Sequence, residues 1–253
     1  MKDRIVTSDH SVSWDCKLKA ILTLLLMTVG SLLMLLVACI TLFQAGRLYR
    51  EKIASPLGRL ALWIWGIRVV VHDRPADSNI QCVYVSNHTS TIDVFVLIAL
   101  ALPNTRFFMS GFLRKLLPLG LIGYLMGMFW TVPQDYPERR AEIFKRAERI
   151  LRKTRESVYL SPEGERITSG QVGHFNKGAF HLAASLQAPI VPFFIYIPKE
   201  VDTGMGFCAQ PGQVDVYFKP KIDVSDWRLE DLIENKENVR DQFVKWHHEL
   251  HRN

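Results

Sequence analysis

Residues 82–93 read CVYVSNHTSTID, and this stretch decides the fold. Cys82-Val83-Tyr84-Val85-Ser86 is apolar and rich in β-branched and aromatic side chains, the pattern of a strand buried on both faces. The polar residues that follow favour turns and helix starts. Ser90 is a plausible N-cap, because its hydroxyl can accept a backbone N–H of the next helix. Strand, turn and helix in so short a run is the opening of a βα unit.

The same run carries the first chemistry. On one continuous helix His88 and Asp93 would stand about 140° apart, at 100° per residue. They can meet if His88 sits on the turn leaving the strand and Asp93 sits in the first helical turn. The carboxylate could then hold one imidazole nitrogen as N–H. The other nitrogen would be free to take a proton from an attacking hydroxyl. Ser90-x-x-Asp93 also matches an acidic capping box, in which Asp93 merely serves the helix start.

Outward from this point, short β-branched runs alternate with longer helical patterns. Candidate strands are residues 67–72, 82–86, 106–109, 157–160, 190–196 and 214–218. Candidate helices are residues 90–102, 112–125, 138–153, 179–186 and 229–251. This alternation predicts an α/β fold with a mainly parallel sheet flanked by helices. In residues 138–153, Phe144, Ala147, Ile150 and Leu151 share one face. Arg and Lys cover the rest, either as a solvated face or against anionic headgroups. The apolar stretch 112–130 is broken by Pro118, Gly120, Gly123 and Gly127, and it suits core packing or the wall of an acyl groove.

Upstream, Ala20 to Phe43 runs without a charge. Its 24 residues would span about 36 Å as a helix, enough to cross a hydrocarbon core. A cleaved signal usually has a shorter apolar region. Leu36-Val37-Ala38-Cys39 resembles a lipoprotein cleavage site, but the apolar run continues to Phe43. Basic residues flank both ends, so charge does not set the orientation. A second stretch, Leu57 to Trp65, carries Trp63 and Trp65 and suits a membrane interface, with Pro56 separating the two pieces. A single spanning anchor and a two-helix motif dipping into one leaflet both fit. The division expected is a membrane-anchoring segment, 1–66, and a catalytic domain, 67–253.

The 253 residues carry a formal net charge of +6, which suits an anionic partner. No zinc-finger or RNA-binding signature is present, so a membrane surface is favoured over nucleic acid. Cys16, Cys39, Cys82 and Cys208 form no C-x-x-C pair and read as reduced, mostly structural thiols of a cytosol-facing protein. The C-terminal histidines 247, 248 and 251 read as a solvated helix end, and no metal site is expected.

Two later blocks complete the pattern. Ser157-Val158-Tyr159-Leu160 ends in Ser161-Pro162-Glu163-Gly164-Glu165-Arg166, and Phe175-Asn176-Lys177-Gly178 precedes Ala188-Pro189-Ile190-Val191-Pro192. In this order, with Asn87-His88 and Asp93, they resemble the glycerolipid acyltransferase family that includes bacterial 1-acylglycerol-3-phosphate acyltransferases. The resemblance covers roughly residues 67–197. It implies His88 as general base and Asp93 as its orienting partner. It implies an acceptor site shaped by Glu163, Gly164 and Arg166, with Arg166 on a phosphate. An Arg fork suits phosphate oxygens, and Gly164 permits close backbone approach. Lys177 is a second candidate phosphate contact. The alternative for Glu163 and Arg166 is an ion pair within the loop.

The implied reaction moves a fatty acyl group onto a lysophospholipid, with acyl-CoA or acyl-acyl-carrier protein as donor and no cofactor. The implied location is a bacterial inner membrane with the catalytic domain facing the cytosol. Three departures bear on the acceptor. Ser161 replaces the usual aromatic, Glu165 replaces Thr, and Gln134 or a neighbour stands where the family carries an Arg. Arg139 or Arg140 could substitute. A different lyso-lipid acceptor is therefore open, as is a non-catalytic lipid-binding protein of the same fold. A serine hydrolase is disfavoured by the absence of a G-x-S-x-G elbow.

Overall fold

A computed structural model describes residues 13–76, 80–169, 171–202, 204, 206 and 208–250. Seven strands form one sheet: β1 (Ile67–His72), β2 (Val83–Ser86), β3 (Thr105–Ser110), β4 (Phe129–Thr131), β5 (Ser157–Leu160), β6 (Ile190–Tyr196) and β7 (Gly212–Phe218). Their order is β1-β7-β6-β2-β5-β3-β4. The block β6-β2-β5-β3-β4 is parallel throughout. β7 pairs antiparallel with β6 and parallel with β1, so these two strands run against the block. Every residue of β2 and β5 is buried, whereas β7 alternates. Central strands covered on both faces require continuous apolar runs, and outer strands do not.

The helices cover both faces. α1 (Trp14–Ile40), α3 (Ser55–Ile64), α4 (Asp93–Ala99) and α5 (Leu119–Leu125) share one apolar core with one side of the sheet. α6 (Pro137–Thr154), α7 (Gly178–Leu186) and α8 (Leu232–Leu250) share a second core with the other side. Ala147 and Leu151 of α6 are fully buried, as the sequence pattern predicts.

The sequence reading missed β4, and it drew the helix at 112–125 too long. That stretch is a 3-10 turn at Leu113–Lys115 followed by α5, with Pro118 just before the first residue of α5. The helix expected from Ser90 begins at Asp93. Pro56 does not separate two pieces. A short α2 (Gly46–Leu48) and a π-helical stretch (Tyr49–Ala54) run straight into α3. Pro56 lies inside this continuous helical run, directly after the π-helical stretch, whose wider turn accommodates a residue that donates no N–H. His251 lies outside the described residues.

α1 is long and apolar enough to cross a membrane. One stripe of it, Cys16, Thr23, Met27, Gly30, Ser31, Met34 and Ala38, is buried. This stripe packs along α3 and α5. At Gly30 an added Cβ would lie 2.4 Å from Leu57 Cδ1, so the helices touch there. The opposite face is exposed and apolar, including Leu22, Leu25, Val29, Leu32, Leu33 and Leu36. Trp63 of α3 and Leu117 and Tyr124 beside α5 are also exposed. Behind this layer Arg50 is buried, donates to the Met126 carbonyl at 3.0 Å and pairs with Glu156. Arg106 takes the other oxygen of Glu156.

The expectation of four reduced cysteines is corrected. Cys16 in the first turn of α1 is disulfide-bonded to Cys208 in the loop between β6 and β7, with Cα atoms 5.6 Å apart. Nothing in the spacing announces the pair, because 192 residues separate them. Among the described residues, Cys39 and Cys82 are in no disulfide.

Candidate functional site

The site lies outside the carboxyl ends of the parallel strands, where open α/β sheets commonly place their ligands. β2 ends at Ser86, and the chain then turns away from the sheet. Asn87 fills the gap with its side chain. Its amide donates to the Ile195 carbonyl at 2.9 Å and accepts the Ile195 N–H at 2.8 Å. This extends the pairing with β6 one step beyond the backbone and frees residue 88 to leave the strand.

His88 and Asp93 meet. Nδ1 of His88 is 2.7 Å from Oδ2 of Asp93. The same oxygen accepts the N–H groups of Thr89 at 2.8 Å and Ser90 at 3.0 Å. The Ser90 hydroxyl accepts the Ile92 N–H at 2.9 Å. Only half of the expected capping box forms, Asp93 accepting the Ser90 N–H while it also holds His88; the residue before α4 is Ile92, and the Ser90 hydroxyl bonds the Ile92 N–H instead of that of Asp93. Asp93 is fully buried, while the His88 side chain is 29% exposed. Three donors fix the carboxylate, which in turn fixes the imidazole. Nδ1 faces a carboxylate, so it carries the proton, and Nε2 presents its lone pair outward.

Glu163 has a different place from the one expected. It makes no ion pair with Arg166. One carboxylate oxygen accepts the backbone N–H of His88 at 2.7 Å, and the other accepts the Gly173 N–H at 2.9 Å. The Ile167 N–H also donates to the His88 carbonyl at 2.8 Å. The loop after β5 thus grips the catalytic turn through its backbone. Burial, helped by the nearby Asp93 charge, pushes the Glu163 carboxyl up to about 7, against the pull of the two N–H groups and of His88. Sequence analysis could place Glu163 near His88 but had no signal for a side chain bonded to main chain.

Gly164 has φ +73, and an added Cβ would lie 2.7 Å from Nδ2 of Asn176. Asn176 donates from that nitrogen to the Glu163 carbonyl at 2.8 Å. Only glycine fits this left-handed, crowded position. Nε2 of Gln134 stands 3.5 Å from the same point, so Gln134 does lie beside the motif. Arg140 is engaged with the Val132 carbonyl at 3.0 Å, and Arg139 lies over the Tyr136 ring. Arg166 is exposed and donates to the Thr91 hydroxyl at 2.6 Å, two residues from Asp93. Lys177 is exposed at the start of α7. It makes no ion pair among the described residues. Among these residues no cluster of three His, Cys, Asp or Glu could hold a metal ion.

A base with a free Nε2, an orienting carboxylate and two outward cations can deprotonate a hydroxyl held on an anionic molecule. A family model described as Acyltransferase matches residues 68–196, about half of the chain, a span that includes His88, Asp93, Glu163, Gly164, Arg166 and Lys177. The 1-acyl-sn-glycerol-3-phosphate acyltransferase of Limnanthes douglasii is 27% identical over 209 residues, covering 80% of this chain and 70% of the relative. The protein of the same name from Pseudomonas aeruginosa is 27% identical over 183 residues, covering 65% and 64%. The crystal structure of the 1-acyl-sn-glycerophosphate (LPA) acyltransferase PlsC from Thermotoga maritima superposes with a TM-score of 0.65 at 21% identity. It covers 90% of this chain and 96% of that one, a likeness of fold. On its sequence and its catalytic turn, the chain belongs to the acyltransferase family.

Proposed function

We propose that the chain moves a fatty acyl group from a thioester donor, acyl-CoA or acyl-acyl-carrier protein, to the free hydroxyl of 1-acylglycerol-3-phosphate. The observation that carries this reading is the His88–Asp93 pair with Nε2 of His88 free to face substrate. Nε2 takes the proton of the acceptor hydroxyl as its oxygen attacks the thioester carbonyl. The C–O bond forms, the tetrahedral intermediate collapses and the C–S bond breaks. The leaving thiolate takes the proton back from His88, so the base ends as it began. Arg166 and Lys177 supply positive charge for a phosphate near the hydroxyl. The names of the relatives support this acceptor.

The outer face of α1 together with Trp63 supports work at a membrane, where both amphiphilic substrates collect. Because α1 is packed along its length by α3 and α5, we read the motif as lying in the surface of the bilayer. The Cys16–Cys208 bridge, buried at Cys16 and exposed at Cys208, fits a surrounding in which thiol reductants are scarce. One observation favours a second acceptor: beside Gly164 stands Gln134, a neutral amide, and Glu165 adds a carboxylate next to Arg166. Both weaken the pull on a phosphate dianion.

The test incubates purified protein in mixed micelles with radiolabelled acyl-CoA, then with labelled acyl-acyl-carrier protein. The acceptors are 1-acylglycerol-3-phosphate, lysophosphatidylcholine and lysophosphatidylethanolamine. Labelled phosphatidic acid as the main product supports the proposal. Preferential labelling of another phospholipid moves the acceptor, and free fatty acid alone or no product rejects transfer.

A further inference from the structure

The loop between β6 and β7 reaches back onto the catalytic turn. Asp202 is buried in it. One oxygen of its carboxylate accepts the Ser90 hydroxyl, and the other accepts the Gly204 N–H at 2.8 Å. The Val201 N–H and the Asp202 N–H both bond the Pro198 carbonyl, which closes the turn that carries Asp202. Gly204 has φ +74, and an added Cβ there would lie 2.6 Å from the Thr89 carbonyl oxygen. The backbone of the loop therefore rests directly on Thr89.

Thr89 and Ser90 are the two residues whose N–H groups hold Oδ2 of Asp93. This loop touches both of them, and its Gly206 carbonyl also accepts the Thr91 hydroxyl at 3.5 Å. The path from Asp202 to the base is short and made of hydrogen bonds: Asp202 to Ser90, Ser90 to Asp93, Asp93 to His88. A bond to a carboxylate is stronger than one between neutral groups, and here it is closed off from water on both sides. It locks the Ser90 hydroxyl. Without it, the Ser90 hydroxyl has only the Ile92 N–H to orient it. Asp202 lies beyond residues 68–196, the part matched by the family model. It shares its loop with Cys208, which the disulfide fastens to the first turn of α1.

We propose that Asp202 is a positioning residue for acyl transfer, acting through Ser90 to hold Asp93 and thereby the His88 imidazole. The proposal rests on His88 being the base. It does not touch substrate, so its loss lowers kcat and leaves the KM for acceptor unchanged. Misplacing a reacting group by an ångström costs on the order of 100-fold, and Asp202→Ala is expected to lower kcat by about 10- to 100-fold.

The experiment measures kcat and KM per folded molecule for Asp202→Ala, Ser90→Ala and the double variant in full-length protein. His88→Ala is assayed in parallel. Coupling through one path predicts that the double variant loses no more than the worse single variant. Restoring the carboxylate as Asp202→Glu should recover part of kcat, which a packing defect would not do. If Asp202→Ala does not fold, the isosteric Asp202→Asn carries the same cycle with Ser90→Ala. Losses that multiply in the double variant, or a kcat within twofold of wild type in Asp202→Ala, overturn the proposal. Full activity in His88→Ala overturns instead the reading on which it rests, so the two failures are distinct.

Discussion

The turn from Ser86 to Asp93 and the loop from Ser161 to Lys177 stand side by side, yet they are built in different ways. In the turn most polar groups near the reaction are tied to another; among the described residues the buried Oδ1 of Asp93 has no partner, and Nε2 of His88 faces outward. Asp93 has three donors, Asn87 is stitched to β6, and Ser90 is held by Asp202. In the loop the part facing the turn is fixed, Glu163 by two N–H groups and Gly164 by the crowding of Asn176. The part facing outward, Arg166 and Lys177, is exposed. A proton transfer needs one geometry, whereas a phosphate can be met by adjustable cations. The molecule spends its order where the chemistry is least forgiving.

The largest break in this contrast should come from Asp93→Asn. The amide can no longer accept three donors at one oxygen, and it can hold the imidazole in the wrong tautomer. We expect kcat to fall by about 10³-fold or more, by analogy with a base that has lost its orienting carboxylate. Steady-state kinetics with acceptor in excess would read it. A loss below tenfold would mean that Asp93 serves only the helix start.

Glu163 is next, because it belongs to both regions. Asp93-like ordering of His88 through its backbone predicts that Glu163→Ala lowers kcat by about 10- to 100-fold. The pH dependence of stability gives a second reading. Burial raises this carboxyl from 4.5 to about 7 in the folded state. The fold therefore holds the proton more tightly than the unfolded chain. The resulting stabilisation is complete below about pH 4.5 and is lost as the pH rises through about 7. At about 1.4 kcal/mol per unit it amounts to roughly 3 kcal/mol. Denaturant melts at pH 5 and pH 8 should show this component in wild type and not in Glu163→Gln. Equal pH dependence in both proteins would remove the raised carboxyl from the account.

The smallest effects belong to the outward cations. Arg166→Ala should raise the KM for a phosphate-bearing acceptor by about tenfold with little change in kcat, the range for one charge-assisted bond. Lys177→Ala should change it by threefold or less, as an exposed charge does. An Arg166 variant that loses kcat and keeps KM would place Arg166 with the catalytic turn, through Thr91, instead of with the acceptor.

What could be read from sequence follows the same division. The βα unit at residues 82–93, the amphipathic α6 and the pairing of His88 with Asp93 rest on neighbours in the chain, and local pattern shows them. β7 runs backwards because it folds back on β6, and β1 runs with it because it pairs with β7, a strand at the far end of the chain, which no local pattern records. The role of Glu163 was hidden because its partners are main-chain N–H groups. Asp202 and the Cys16–Cys208 bridge were hidden because their partners lie 112 and 192 residues away. Pro56 was misread because the π-helical stretch before it lets the helix run through a proline that would otherwise break it.

The central claim is that His88 is the base. The most direct measurement is single-turnover transfer from labelled acyl donor to 1-acylglycerol-3-phosphate by wild type and His88→Ala, with the fold of each checked by thermal melting. The account predicts a melting point close to wild type and transfer reduced by about 10³-fold or more. A folded His88→Ala protein that still acylates at near wild-type rate would contradict it.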